Sequence, residues 1–224
     1  MRNFCFRCSL AALTLLCLAA VAAEHVNVSF ARGAWNEKEF IPVDSPRFLP
    51  GGVMLQRDDH IVNRTPSAPP EELMGRRYAE TYAALVYRKP LRGNAVIRVR
   101  LAFDHSMAPS VVIAPELGRA NGRAEFREHV EVCLFDGGIN VWHHTIRKSG
   151  PFWRKLAYLK AGFRPGTVYE LQISLRRTGK GLMLDVRCGD REFGCALPDI
   201  GPQYYVGIIG SEGVTRFYSF QISR

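Results

Sequence analysis

The sequence predicts an all-β chain of antiparallel strands, closed as a sandwich or a barrel, and three observations carry that prediction. Apolar and polar residues alternate with a period of two: Tyr169, Leu171, Ile173 and Leu175 with Glu170, Gln172 and Ser174, then Leu182, Leu184 and Val186 with Met183, Asp185 and Arg187. Side chains alternate across a strand, so this period sorts residues onto two faces. Turn residues punctuate these segments at short spacing, as all-β domains require. Finally, Asp136-Gly137 stands between two alternating runs, a strong local sign of a β-hairpin.

The chain opens with an export signal, 1–22. Arg2 and Arg7 form a basic start, 10–21 is apolar apart from Thr14, and Ala20-Val21-Ala22 fits a small-x-small cleavage site, with Ala23 the alternative. The run is too short for a membrane span, and no later stretch is apolar enough to be one. Leu16 before Cys17 is too large for a lipidation site. The expectation is a periplasmic or extracellular protein whose remaining residues, 23–224, form one domain.

Losing Arg2 and Arg7 takes the formal charge from +9 to +7. That favours acidic partners (uronate or sulfated polysaccharide, nucleic acid, an anionic surface) or serves solubility alone. Export and the absence of a basic platform interleaved with aromatics argue against nucleic acid. Cys5, Cys8 and Cys17 leave with the signal, and Cys133, Cys188 and Cys195 remain. An odd count is no disulfide framework, and a turn at Gly189-Asp190 does not place Cys188 opposite Cys195. No zinc-type cysteine spacing is present.

Strands are expected at 26–31 and 52–56, with a loop at 35–50 marked by Pro42, Pro46 and Pro50. A Pro-rich loop follows at 61–75, and 71–79 fits a helical turn, since proline favours a helix start. Strands are then expected at 81–88, 94–104 and 110–114, a polar loop at 118–127, the hairpin at 128–144, and strands at 152–159, 167–176, 181–187, 192–196, 204–210 and 214–223. Asn27-Val28-Ser29 and Asn63-Arg64-Thr65 match the N-glycosylation pattern.

A two-residue loop at Asp136-Gly137 pairs Phe135 with Gly138, Glu131 with Trp142 and His129 with His144. Val130, Val132, Leu134, Ile139 and Val141 then share one face, and His129, Glu131, Cys133, Asn140, Trp142 and His144 the other. His143 falls on the apolar face, away from His144, and Glu128 and Glu131 face opposite ways.

The segment Pro165-Gly166-Thr167-Val168-Tyr169-Glu170-Leu171-Gln172-Ile173 and the ending from Tyr205-Val206-Gly207-Ile208-Ile209-Gly210 to Phe217-Tyr218-Ser219-Phe220-Gln221-Ile222 resemble the concanavalin A-like lectin/glucanase superfamily. In character they are nearest to laminin-G-like jelly rolls and to 3-keto-disaccharide hydrolase-like exported bacterial domains. The resemblance runs from about residue 30 to the end. It implies two curved antiparallel sheets, a β-sandwich of the jelly-roll kind, with ligands on the concave sheet or its rim. The Glu-x-Asp-x-Glu strand of the β-glucan hydrolases is missing, as is the Gln-x-His strand of alginate-lyase-like members. Arg98-Val99-Arg100 and Tyr158-Leu159-Lys160 are loose echoes of the latter's other strands.

The function expected is binding of an anionic or plant/algal-type oligo- or polysaccharide, with a glycan-cleaving enzyme, hydrolase or lyase, as the alternative. Trp142 would stack on a pyranose, with Asn140, His129, Arg98 and Arg100 as further contacts; packing of Trp142 under a loop is the competing reading. In the enzyme reading Glu131 acts with His144 or His129, its pKa raised beside the indole. Glu131 is otherwise an ordinary strand carboxylate, and no second carboxylate for glycoside hydrolysis is evident. His129, Glu131 and His144 also fit a metal's donor set, but cross-strand histidines are more often plain neighbours, and no metal or cofactor is expected. Arg98 and Arg100 either grip a carboxylate or sulfate or form a solvated face.

Overall fold

The computed structural model describes residues 25–46, 52–63, 82–104, 108–179, 181–198, 200–211 and 213–224. The export signal expected at 1–22 and the helical turn expected at 71–79 lie outside these residues. The described strands are β1 (His25–Ser29), β2 (Phe40–Asp44), β3 (Met54–Gln56), β4 (Ile61–Asn63), β5 (Ala83–Tyr87), β6 (Leu91–Arg92), β7 (Ala95–Phe103), β8 (Ala108–Ala114) and β9 (Leu117–Ala120). They continue with β10 (Arg123–Phe126), β11 (Glu128–Phe135), β12 (Gly138–Arg147), β13 (Gly150–Lys160), β14 (Tyr169–Thr178), β15 (Gly181–Cys188), β16 (Arg191–Ala196), β17 (Gln203–Ser211) and β18 (Thr215–Ser223). No described helix is long and apolar enough to cross a membrane.

These strands form the two sheets of a β-sandwich. An eight-stranded sheet runs β16-β15-β14-β7-β18-β4-β3 with β1 also on β18, and a ten-stranded sheet runs β13-β12-β11-β8-β17-β5-β2-β10-β9 with β6 also on β17. The alternating apolar residues meet in one core. Ile97, Val99 and Leu101 of β7 and Leu171, Ile173 and Leu175 of β14 cluster with Val130, Val132 and Leu134 of β11 and Ile139 and Val141 of β12. Each such side chain contributes about 1.5–3 kcal/mol on burial.

The ten-stranded sheet is forced to curl. Laid flat, β10 and β11 would sit five strand spacings apart, about 24 Å. Only Arg127 joins them. The sheet therefore bends over the face turned away from the core, bringing Phe126 of β10 into a second apolar cluster with Val43, Tyr82, Val86, Val112 and Ile209. This face is the concave one.

Three local expectations are corrected. The stretch 118–127 is the β9–β10 hairpin, turned by Asn121 at φ 50° and Gly122 at φ 78°. An Asn-Gly pair suits a tight turn that needs positive φ at both central residues. Within 35–50, residues Phe40–Asp44 form β2; β10 joins it only at Val43 and Asp44, beyond Pro42. Ile61–Asn63, assigned to the Pro-rich loop, is β4. Asn63 itself is buried, and its carboxamide oxygen accepts from the Thr215 N–H at 2.8 Å, which leaves this sequon's asparagine no room for a glycan. Cys188 pairs with Arg191 and Cys195 with Leu184, so the two thiols are offset, and both are free. Burial pushes the Cys188 thiol up to about 11.

Gly138 closes the Asp136-Gly137 turn at φ 151°, and a Cβ there would strike the Leu159 carbonyl of β13. Gly138→Ala is expected to lower unfolding free energy by about 2 kcal/mol or more through backbone strain and the clash. Urea denaturation checks this; an unchanged midpoint contradicts the tight β12–β13 approach.

Candidate functional site

The β11–β12 hairpin has the register that its turn dictates: Phe135 opposite Gly138, Cys133 opposite Asn140, Glu131 opposite Trp142 and His129 opposite His144. With Val130, Val132, Ile139 and Val141 in the core, strand alternation turns His129, Glu131, Asn140, Trp142 and His144 onto the concave face. There they divide into a buried layer and an open one.

Glu131 is the centre of the buried layer. Its side chain is only 8% exposed and that of His129 only 2%. The Tyr82 hydroxyl donates to Glu131 Oε1 at 2.8 Å, and His129 Nε2 lies 2.8 Å from the same oxygen. His144 Nε2 stands 3.6 Å from Oε2. The two imidazoles stack with centroids 4.8 Å apart and planes within 7°, and Phe126 covers His129 from 4.5 Å. Cys133 approaches Oε2 at 3.8 Å and accepts from Ser110 Oγ at 2.9 Å.

The charge state of Glu131 reverses the expectation that Trp142 would raise its pKa. Burial is the largest single influence and does act upward. The hydrogen bond from His129, the electrostatic influence of the two imidazoles and the Tyr82 hydroxyl together outweigh it and hold the carboxyl at about 2. Such a group is ionised at neutral pH and has no proton to give a leaving group.

The open layer lies beside it on β12 and the edge strand β13. A register shift between Val141 and Trp142 skips Leu156 and sets Lys155 opposite Trp142, with Tyr158 opposite Asn140 and Trp153 opposite His144. Lys155 Nζ stands 5.0 Å over the Trp142 ring and 5.1 Å over that of Tyr158. Tyr158 and Trp153 are exposed at 46% and 45%, and Trp142 is half-buried.

Arg98 and Arg100 do not join this face. They stand on β7 in the other sheet, pointing away from the core that takes Ile97, Val99 and Leu101, and Arg98 Nε donates to Gln172 Oε1 at 3.0 Å. His143, on the apolar face, is buried and sits 2.7 Å from Glu128 Oε1. Sequence reasoning missed Tyr82 and Lys155: Tyr82 reaches Glu131 only because the sheet curls, and Lys155 faces Trp142 only because of the register shift. Local alternation signals neither.

No family model matches the chain, and no curated protein does. Solved structures do. Lectin II from Ulex europaeus matches with a TM-score of 0.54 at 12% identity, covering 89% of this chain and 97% of that one. The carbohydrate-binding module CBM66 from Bacillus subtilis matches with a TM-score of 0.52 at 7% identity, covering 80% and 92%. The kappa-carrageenase from Pseudoalteromonas carrageenovora, solved with an oligosaccharide of kappa-carrageenan, matches with a TM-score of 0.55 at 7% identity, covering 94% and 99%. At these identities the likeness is one of fold, and the fold is the concanavalin A-like jelly roll.

Because the folded pKa of Glu131 lies below its ordinary 4.5, its ionisation stabilises the fold above that pH, and the contribution is lost as pH falls towards about 2. Glu131→Gln is expected to cost about 1–3 kcal/mol at neutral pH. The gap from the native protein should narrow steadily below pH 4.5. Urea denaturation across that range checks this, and a gap independent of pH contradicts it.

Proposed function

We propose that this is an exported glycan-binding protein that holds an anionic oligo- or polysaccharide on the concave face of its ten-stranded sheet. The observation that carries the reading is the open layer: an ammonium over the half-buried Trp142 ring and the exposed Tyr158 ring, flanked by the exposed indole of Trp153 and an amide. Flat rings accept the C–H face of a pyranose, and an amide fixes hydroxyls. The Asn140 amide stands opposite Tyr158 in this layer, and its Oδ1 is buried without a hydrogen-bond partner among the described residues. Lys155 supplies the charge that selects uronate or sulfate, in keeping with the formal charge of +7 left once Arg2 and Arg7 are removed with the signal. The fold agrees, since the similar structures named above include a lectin and a carbohydrate-binding module. Export rests on the reading of residues 1–22.

A glycan-cleaving enzyme is the second reading, and one observation favours it: His144 touches Glu131 and, at 14% exposure, borders the same surface. It would be the proton-transfer group of a lyase step, with Glu131 orienting it. A hydrolase needs a protonated carboxylic acid, a role the ionised Glu131 does not fit.

Affinity for sulfated and uronate-bearing oligosaccharides, measured by calorimetry, tests the binding reading. Trp142→Ala should cost about 2 kcal/mol, roughly thirtyfold in Kd. Lys155→Ala should abolish the preference for charged over neutral glycans. Unchanged affinity in Trp142→Ala and Tyr158→Ala together would place the glycan elsewhere. Unsaturated products that form with the native protein and vanish in His144→Gln would establish the lyase instead.

A further inference from the structure

The glycan surface leaves the groups beneath it unexplained. Stacking and charge selection need Trp142, Tyr158, Asn140 and Lys155; they do not need a carboxylate and two imidazoles set against one another below. A carboxylate withdrawn from water needs polar partners close around it. Among the described residues, the ion-pair partners of Glu131 are His129 and His144, with no lysine or arginine. Imidazole nitrogens and a carboxylate oxygen converging in a water-poor place are the donor set of a divalent transition metal.

The spacing fits. One ligand atom from each of His129, Glu131 and His144 lies within 4.8 Å of the others. His129 Nε2 is 2.8 Å from Oε1 and His144 Nε2 is 3.6 Å from Oε2. A tetrahedral ion with bonds of about 2.1 Å sets its ligand atoms about 3.4 Å apart, between those two values. The two ring planes lie nearly parallel with centroids 4.8 Å apart, so one ring has to turn for both nitrogens to face a shared ion. His144 is the one bordered by solvent, at 14% against 2% for His129.

We propose that His129, Glu131 and His144 bind one divalent transition-metal ion, zinc or an ion of like coordination, with water completing its shell. The Tyr82 hydroxyl on Glu131 Oε1 and the Phe126 ring against His129 are the surrounding contacts that hold such ligands in place. This is independent of glycan binding: the ion sits below the aromatic layer, and either can exist without the other.

The test is to dialyse the purified protein against EDTA and titrate it with Zn2+ by calorimetry, with thermal unfolding in parallel. One equivalent should bind, and Tm should rise with zinc concentration, as binding to the folded state alone requires. His144→Gln should weaken binding at least tenfold, while His143→Gln, next in sequence but on the other face, should leave affinity unchanged. Should His144→Gln fail to fold, the native protein still decides: zinc should shift the ring 15N resonances of His129 and His144 and not those of His143. Absence of binding, binding that survives His144→Gln, or shifts confined to other histidines would overturn the proposal.

Discussion

A carboxylate can leave water only if other donors take water's place, and that constraint organises the concave face of this protein. Glu131 takes a hydroxyl from Tyr82 and sits against His129 and His144. Those groups come from different places in the chain: Tyr82 precedes β5, three strands away from β11 across the sheet, and His144 is on β12. They meet because the single residue between β10 and β11 bends the sheet over this face. The curl, the burial of Glu131 and the stacking of the two imidazoles therefore depend on one another. Opening the sheet would strand a charge beside an apolar cluster, an arrangement that costs several kcal/mol.

The same hairpin builds two chemistries at two depths. Towards β8 and β5 the face is covered and holds the ionised cluster. Towards the edge strand β13 it is open, and the aromatic rings and Lys155 stand in reach of solvent. An edge strand with charged side chains resists pairing with another sheet. On β13 the charges also serve a second purpose, since Lys155 lies over two rings and leaves its ammonium between them. The eight-stranded sheet carries Arg98 and Arg100 on the far side of the core and takes no part in this surface.

Much of the fold was legible in the sequence because strand parity and turn chemistry are local. Asp136-Gly137 set the hairpin's register residue by residue, and the period of two sorted β7, β14 and β15 into core and surface faces. Parity also separated His143 from His144 and Glu128 from Glu131. The misses were non-local or followed one misleading residue. Asn121-Gly122 is as plain a turn signal as Asp136-Gly137 in the β11–β12 hairpin, but the polar residues around it hid the strands it joins. Pro42 masked β2. Arg98 and Arg100 were assigned to the correct side of their strand, but no local pattern says which sheet β7 joins. The pKa of Glu131 went the wrong way because the neighbouring Trp142 was visible in sequence, whereas the donor Tyr82 was not.

The central claim is that the concave face of the ten-stranded sheet is where a glycan lies. Hydrogen–deuterium exchange of the protein with and without a sulfated or uronate-bearing oligosaccharide tests it most directly, because exchange reports on both sheets at once. The account predicts added protection across β12 and β13, with β7 and β14 unchanged. Protection centred on β7 and β14, beneath Arg98 and Arg100, would contradict it.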